Sequence, residues 1–233
     1  MKTYKLIIIL FCFIIIYILQ LDYKRNKIKK FNFIHIPKNG GSSIKLLDNK
    51  LIIYHHHGTN VFCKKLKNQL VILRDPIDRF KSSVRYAIQK WSHLDLIKTL
   101  IKKKIDTPER WVNIMSNKND PLNKILNLEI LNNKSHKIGN KYPKYKFTYT
   151  SQNKWINNPE YVILFENLDE EFKEFCRFNN IKVDLIKVNS TKKNDTEDNL
   201  SIKSIKYLKK KYRKDIKLYE KYKNIPITKR LLY

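Results

Sequence analysis

The chain has 233 residues and carries 49 Lys and Arg against 21 Asp and Glu, a formal net charge of +28. Its 42% apolar and 12% aromatic residues exclude an intrinsically disordered chain, and its length fits one globular domain with a short appendage. The charge favours anionic partners such as nucleic acid, acidic glycans, anionic lipid or phosphorylated cofactors, although a general bias toward Lys, Asn and Ile also explains it. The three cysteines form no Cys-x-x-Cys pair, which excludes a disulfide scaffold and a cysteine zinc site.

Residues 6–21 form an almost unbroken apolar run, which Lys2 and Lys5 precede and a basic stem at 22–30 follows. As a helix of about 1.5 Å per residue, the run would be roughly 24 Å long, enough for a thin membrane. No small residues mark a cleavage site at its end, so a removed signal peptide is not expected. The run therefore predicts a transmembrane signal anchor after a short tail at 1–5.

Two signals disagree on the orientation of this anchor. Cations are denser after the run than before it, which places the following domain in the cytosol by the positive-inside rule. Glycosylation sequons favour a lumenal domain instead, and they occur at Asn133, Asn189, Asn194 and Asn199. Sequence alone leaves the orientation open, and our working interpretation is a single-pass type II membrane glycoprotein that faces the ER or Golgi lumen.

Short apolar runs alternate with helical patterns after the stem. The first is a strand at 31–36, which a Gly-Gly turn separates from a helix that starts at Ser42. Further strands are predicted at 51–54 and 70–73, and Asp75-Pro76 then provides an N-cap and a first helical residue. The apolar face of the following helix consists of Ile77, Phe80, Val84, Ile88 and Trp91.

The second half of the chain continues the alternation. Thr107-Pro108 and Asp120-Pro121 predict helix starts, 161–165 a buried strand, 169–178 an amphipathic helix, and 202–222 one long basic helix. Continuous apolar strands between helices predict an α/β fold. We expect a single domain at 31–233 with a central parallel sheet flanked by helices and a phosphate-binding loop after the first strand.

The segment from His35 to Ser43, HIPKNGGSS, carries the strongest chemical signal. A strand that enters a helix through a Gly-Gly turn directs several backbone N–H groups at one place, and the helix dipole adds to their positive potential. Lys38 adds a charge, and Ser42 and Ser43 add hydroxyl donors. The order G-x-x-x-x-G-K-[ST] of nucleotide triphosphatases is absent. The segment predicts a phosphate site formed by Lys38, Asn39, Gly40, Gly41, Ser42 and Ser43.

A second signal follows the strand at 70–73, where Arg74 lies at the edge at which open α/β sheets bind ligands. Ser82 lies about two turns into the next helix, with Arg79 three residues before it. A guanidinium and a hydroxyl that converge in this way can bind a second phosphate. The alternative is an ordinary helix cap with cations nearby by chance.

Together the two segments resemble the PAPS-dependent sulfotransferase family (PAPS is 3′-phosphoadenosine 5′-phosphosulfate), in its membrane-bound carbohydrate branch. HIPKNGGSS is similar to the family's 5′-phosphosulfate loop, PKTGGTS, with Asn39 in place of a Thr, and Arg74 with Ser82 is similar to its 3′-phosphate motif, RDPxxRxxS. Val84 departs from the family's usual tyrosine. Weaker similarities extend toward 222, at Gln152, Trp155, 165–168, Asn189, Ser190, Tyr212, Asp215 and Tyr219.

The resemblance implies PAPS as donor co-substrate without a metal, and an in-line transfer of the sulfuryl group to a hydroxyl, which we expect to be that of a glycan. It implies that Lys38 stabilises the leaving group and that nucleic acid is not a partner. The acceptor hydroxyl needs a general base, and His56 or His57 in the run His55-His56-His57 is the candidate, in the interval where the family carries a His or Glu. A metal-binding tract and a plain surface run are the alternatives, and His35 is expected to pack in the core.

Two other functions compete with this hypothesis. A nucleotide or nucleoside kinase also binds phosphates after its first strand, but this sequence has neither the Gly-Lys-Ser/Thr order nor an obvious carboxylate pattern for Mg²⁺. A basic, membrane-tethered protein that binds polyanions without catalysis would explain the net charge. It would not explain why Lys38 and the Gly-Gly turn follow a strand, or why Arg74 and Ser82 follow another.

Overall fold

Four parallel strands form the central sheet, in the spatial order β2-β1-β3-β4. They are β1 (Phe31–Ile34), β2 (Ile52–His55), β3 (Gln69–Leu73) and β4 (Tyr161–Leu164). The computed structural model describes residues 13–17, 29–47, 50–56, 66–90, 92–127, 150–156, 158–183, 185 and 199–231. The chain divides into two units, Met1–Lys30 and Phe31–Tyr233, and the sheet belongs to the second.

The strand order reverses between β1 and β3. From β1 the chain moves outward to β2 and then returns across β1 to form β3, which pairs with β1 through registers such as Phe33 with Leu70. In an open parallel sheet, such a reversal leaves a crevice beyond the carboxyl ends of the two neighbouring strands, and ligands bind there. The residues that follow β1 and β3 therefore line the expected ligand site.

β3 and β4 form where the sequence is largely apolar, because both faces of the sheet are covered there. Every residue of β3 and β4 is buried. Successive side chains point to opposite faces. Phe33, Leu70 and Ile163 thus belong to one core cluster, whereas Ile34, Val71 and Val162 belong to another.

Helices cover both faces, which confirms the predicted α/β class. The helices of this unit are α1 (Gly41–Lys45), α2 (Pro76–Lys90), α3 (Asp95–Lys102), α4 (Pro108–Ser116), α5 (Asn123–Asn127), α6 (Leu168–Phe178), α7 (Ile202–Lys211), α8 (Arg213–Lys223) and α9 (Ile227–Leu231), with 3₁₀ turns at Gln152–Lys154 and Phe165–Asn167. Phe172 and Phe175 of α6 pack on one face of the sheet, and Tyr219 of α8 packs on the other.

The predicted apolar face of α2 is confirmed for the residues that the structure describes. Phe80 and Val84 are buried in a helical cluster with Trp111 of α4 and Leu208 of α7. Ile77 and Ile88 pack against the same cluster, and Trp91 lies outside the described residues. This cluster connects α2, and with it Ser82, to the carboxyl-terminal helices.

Three details differ from the sequence predictions. The single helix predicted at 202–222 is wrong, because the chain forms α7 and α8 with a break at Tyr212, whose side chain is buried. The helix predicted from Asp120-Pro121 begins at Asn123, since the Asp120 carboxylate first accepts a hydrogen bond from the Leu122 N–H in a turn. The terminal helix α9 was not predicted.

The amino-terminal unit is described only in part. Residues 13–17 of the predicted anchor are helical and exposed. Within the described ranges, no helix combines the length and the apolar character that crossing a bilayer requires. Of the predicted basic stem at 22–30, the structure describes residues 29 and 30.

Candidate functional site at the carboxyl ends of β1 and β3

The phosphate loop, residues 35–43, turns sharply after β1. Lys38 (φ 69°) and Gly40 (φ 77°) both adopt left-handed backbone conformations. Among the described residues, none accepts a hydrogen bond from the backbone N–H of Gly40, Gly41 or Ser42. Three adjacent N–H groups in such a turn can bind an anion. Because α1 has only five residues, these N–H groups contribute more than the helix dipole does.

Both glycines of the loop are required by close packing. A methyl group on Gly41 would overlap the His35 ring, and one on Gly40 would lie 2.8 Å from Leu168 Cδ2. Gly40 also needs its left-handed conformation, which other residues adopt at a cost. The sequence Gly40-Gly41 therefore allows the loop to lie directly against α6 and the His35 ring.

Arg74 follows β3 directly, and its guanidinium reaches the phosphate loop. Its Nη1 donates to the Lys38 carbonyl oxygen at 3.1 Å, and its Cζ lies 4.2 Å from the centroid of the Phe165 ring. Arg74 is 9% exposed, and its buried Nε has no hydrogen-bond partner among the described residues. The two segments that were predicted to bind phosphates are thus in contact.

Helix α2 presents a serine and an arginine to the same region. Ser82 is buried, and no hydrogen bond joins its hydroxyl to a described residue. The neighbouring Ser83 differs, because its Oγ donates to the Arg79 carbonyl oxygen at 2.8 Å. Arg79 is buried and donates from Nε to the Pro37 carbonyl oxygen at 3.0 Å, which ties α2 to the phosphate loop.

Gln152 joins the two segments from a third direction. Its Oε1 accepts from Asn39 Nδ2 at 2.6 Å and from the Arg74 N–H at 3.1 Å, while its Nε2 donates to the Arg74 carbonyl oxygen at 2.8 Å. Asp215 of α8 accepts from the backbone N–H groups of Gln152 and Asn153 at 2.6 and 3.0 Å. This buried network fixes the phosphate loop relative to the end of β3.

The network also places Asn39, which was predicted to contact the phosphate. Asn39 is 1% exposed, and its Nδ2 donates to the Ile72 carbonyl oxygen at 2.7 Å as well as to Gln152. Its backbone N–H donates to the Ile36 carbonyl oxygen at 3.3 Å. The side chain therefore faces the sheet and holds the loop in place.

The cations of the site repel one another. Lys38 Nζ lies 3.8 Å from the centroid of the Tyr86 ring. Burial, followed by the charges of Arg74, Arg85 and Arg79, lowers the pKa of Lys38 to about 7. A bound anion would relieve this repulsion and return the Lys38 pKa toward its ordinary value.

Burial also lowers the pKa of two arginines, Arg74 and Arg85. Burial lowers the pKa of Arg74 to about 10, although the carboxylates of Asp78 and Glu166 act in the opposite direction. Both guanidinium groups stay charged at neutral pH, so the site holds a concentrated positive charge at the switch point of the sheet.

His56, which follows β2, lies beside the His35 ring at the start of the phosphate loop. The His56 ring lies 5.8 Å from the His35 ring, measured between centroids, and burial lowers the pKa of His56, with a further contribution from Lys45. His35 Nδ1 lies 2.5 Å from the Tyr54 hydroxyl. His35 is buried as predicted, and its contact with Gly41 places it beside the loop.

The other two histidines of the run are His55, which makes a separate contact, and His57. His55 Nε2 lies 2.8 Å from Asn32 Oδ1, a contact within the sheet. His57 lies outside the described residues. Within the described ranges, no three His, Cys, Asp or Glu side chains form a group that could hold a metal ion.

Sequence reasoning missed Arg85 and Tyr86 and gave Gln152 and Asp215 no role. Arg85 follows Ser82 by three residues, a spacing that places the two on one side of α2. This signal was available, but exposed lysines and arginines are common in the chain. The role of Asp215 could not be predicted, because it depends on how α8 packs against the turn at Gln152–Lys154.

The chain was compared with family models, curated proteins and solved structures. None of the three comparisons gave a match. The function is therefore inferred from the residues at the carboxyl ends of β1 and β3.

Proposed function

We propose that this protein is a PAPS-dependent sulfotransferase. The observation that carries the proposal is the hydrogen bond from Arg74 to the Lys38 carbonyl oxygen, which joins two predicted anion-binding segments at the switch point of a parallel sheet. A nucleotide with phosphates at its 3′ and 5′ positions matches two neighbouring anion sites. The resemblance of both segments to sulfotransferase motifs supports the same assignment.

Each segment takes one end of the nucleotide in this proposal. The N–H groups of Gly40, Gly41 and Ser42, with Lys38 and the hydroxyls of Ser42 and Ser43, bind the 5′-phosphosulfate. Arg74 and Ser82 bind the 3′-phosphate, for which the Ser82 hydroxyl provides a donor. Because hydrogen bonds from Arg79 and through Gln152 fix the phosphate loop and the end of β3, little reorganisation is needed when charge develops on the leaving phosphate.

The transfer itself is a displacement at sulfur. The acceptor oxygen forms a bond to sulfur while the bond between sulfur and the bridging phosphate oxygen breaks, and 3′-phosphoadenosine 5′-phosphate (PAP) leaves. The acceptor proton passes to His56 or His57. The lowered pKa of His56 keeps its imidazole neutral at physiological pH, so that it can accept this proton. Protonated Lys38 stabilises the leaving oxygen.

The proposal also includes the acceptor and the location of the protein in the cell. We propose a glycan hydroxyl as the acceptor, and residues 6–21 as a transmembrane signal anchor of a type II protein in the ER or Golgi. The length and apolar character of this run support the anchor. Sequons such as Asn199, whose side chain is exposed, support a lumenal domain.

Sulfate incorporation tests the proposed activity. The full-length chain in a non-ionic detergent is incubated with radiolabelled PAPS and a panel of glycans, and label transfer is measured. We expect transfer to at least one glycan. Replacing the general base, in His56→Ala or His57→Ala, should lower the rate of transfer about 10²–10⁴-fold. Lys38→Ala should also lose activity, whereas Lys209→Ala, an exposed cation of α7, should not.

Two results would contradict the proposal. One is the absence of transfer to any acceptor while PAP binds. The other is transfer that neither histidine variant nor Lys38→Ala reduces. Phosphoryl transfer from ATP with Mg²⁺ in the same assay would support a kinase instead.

A further inference from the structure

Helices α7 and α8 each carry a row of exposed cations. Lys203, Lys206 and Lys210 of α7 are three and four residues apart, and Lys214, Lys217 and Lys221 of α8 repeat this spacing eleven residues later. All six are exposed. We call these six residues the basic ridge. Residues at such spacings lie on one side of a helix, so each helix presents three charges in a line.

The opposite sides of the two helices face the core. Ser204 and Leu208 of α7 are buried, as are Asp215 and Tyr219 of α8. These positions are also related by eleven residues. Each helix therefore has a fixed inner side and a fixed outer side, and no described carboxylate forms an ion pair with a lysine of the basic ridge.

A uniform excess of lysine does not explain the basic ridge. The segment 202–223 contains ten Lys and Arg but only two acidic residues, and one of these, Asp215, is buried. By contrast, α6 contains four acidic residues and two basic ones in eleven positions. A compositional bias would act on both segments alike. The charge is therefore concentrated on α7 and α8.

Contacts within the core connect α8 to the candidate site. Asp215 holds the turn at Gln152, which in turn bonds to Arg74. Further along α8, Tyr219 forms a hydrogen bond with Glu166, which accepts from the Asp75 N–H at 2.9 Å. The helix that carries half of the basic ridge thus packs against the wall of the nucleotide site.

We propose that the basic ridge binds a linear acidic polysaccharide, the acceptor of the sulfotransferase reaction. This inference rests on the proposed function. Each line of three charges matches a stretch of a polymer with regularly spaced carboxylates or sulfates, and such a polymer also offers the hydroxyl that the reaction needs. The inner side of α8 packs against the residues that hold Arg74, so half of the basic ridge lies on a helix that borders the proposed nucleotide site.

Other anionic partners fit the basic ridge less well. A membrane-surface helix inserts an apolar side, but the apolar sides of α7 and α8 are occupied by the core. Single-stranded nucleic acid is bound by aromatic rings that stack on bases, yet Tyr212 and Tyr219 are buried, and Tyr207 and Tyr222 pack partly against the core clusters. A sugar polymer needs neither feature.

Two charge-matched variants test the proposal in the full-length chain. In the ridge variant, the six lysines of the basic ridge are replaced by Gln. In the control variant, six exposed lysines elsewhere are replaced by Gln, namely Lys90, Lys98, Lys102, Lys103, Lys118 and Lys173. Binding of a heparin oligosaccharide, a DNA duplex of equal charge and phosphatidylserine vesicles is measured at several salt concentrations, and PAP binding is measured separately.

We expect the ridge variant to bind heparin at least about tenfold more weakly, with a shallower salt dependence, and the control variant to stay within about threefold of the wild type. Both variants should bind PAP like the wild type. With an active glycan acceptor, the ridge variant should raise KM and leave kcat within about twofold.

Equal losses in the ridge and control variants would overturn the proposal, because net charge alone would then explain binding. Tighter ridge-dependent binding of duplex DNA or vesicles than of heparin would overturn the choice of polysaccharide. Ridge-dependent heparin binding without PAP binding would contradict the proposed function alone. If the ridge variant transfers sulfate like the wild type, the basic ridge does not bind the acceptor, and the proposed sulfotransferase function is unaffected.

Discussion

Arg74 and Arg230 are both buried arginines beside the sheet, but their charges are balanced differently. Arg230 forms a two-pronged ion pair with Glu171, with N–O distances of 2.7 and 2.8 Å, and its Nη1 also donates to the Val162 carbonyl oxygen. Arg74 donates to the carbonyl oxygen of Lys38 and stacks on Phe165, with no described carboxylate in an ion pair with it. The charge of Arg230 is therefore balanced by an ion pair within the fold, whereas the charge of Arg74 is available to a ligand.

The comparison separates a structural arginine from a binding arginine. A buried charge costs free energy unless a partner compensates it. At Arg230 the partner is part of the fold, and the pair fastens α9 to α6 and β4. At Arg74 the cost is tolerated because, we propose, the nucleotide supplies the compensating charge. The following predictions test this distinction, from the largest expected effect to the smallest.

Arg230→Met should destabilise the protein by about 3–5 kcal/mol, because Glu171 would stay buried without a partner. Chemical denaturation monitored by circular dichroism measures the change in unfolding free energy. Arg74→Met is the matched comparison, and it should be neutral or slightly stabilising, since it removes a buried cation that has no ion-pair partner among the described residues and keeps an apolar stem. A larger loss for Arg74→Met than for Arg230→Met would contradict the distinction.

Ser82→Ala should weaken PAP binding by about ten- to 150-fold, the value of a hydrogen bond to a charged group. Ser83→Ala is the control on the next residue, because its hydroxyl is already bonded to the Arg79 carbonyl oxygen. We expect it to leave PAP affinity within about twofold of the wild type. Calorimetric titration measures both affinities, and equal losses would remove Ser82 from the proposed site.

PAP affinity should fall as the pH rises through 7. The pKa of Lys38 is about 7 in the free protein, and a bound phosphate raises it. Binding therefore takes up a proton above pH 7 and is strongest below it, with an expected loss of about tenfold between pH 6 and pH 8. Titrations in buffers of different ionisation enthalpy would detect the proton. Lys38→Arg should abolish this dependence, and its persistence in that variant would exclude Lys38 as the source.

Lys38→Gly should be more stable than Lys38→Ala by about 1 kcal/mol, since position 38 has a left-handed backbone that glycine adopts without strain. Thermal unfolding of the two variants measures the difference. Both lack the cation and should bind PAP equally weakly. A more stable Ala variant would show that position 38 is not strained.

Sequence patterns predicted the elements of the sheet because the strands lie in short, mostly apolar runs, as at Leu70–Leu73. They also predicted that Lys38 and Arg74 follow strands. The long-range contacts that complete the site could not be predicted. Gln152 meets Asn39 across 113 residues of sequence, and Arg230 meets Glu171 across 59. Such pairs follow from how helices pack, which local periodicity does not encode.

Asn39 illustrates the limit of motif reasoning. We predicted it to contact the phosphate because it lies between Lys38 and Gly40 in the sequence. The left-handed conformation of Lys38 instead turns the Asn39 side chain toward Ile72 and Gln152. The break at Tyr212 is similar, because a uniform lysine-rich pattern concealed a residue that packs in the core.

The central claim is that Lys38 and Arg74 bind opposite ends of one nucleotide. Calorimetric titration of the wild type, Lys38→Ala and Arg74→Ala with PAP, 5′-AMP and 3′-AMP tests it most directly. We predict that the wild type prefers PAP to either monophosphate, that Arg74→Ala loses the advantage of the 3′-phosphate, and that Lys38→Ala loses that of the 5′-phosphate. Equal affinities of the wild type for all three nucleotides, or equal losses for all three in both variants, would contradict the claim.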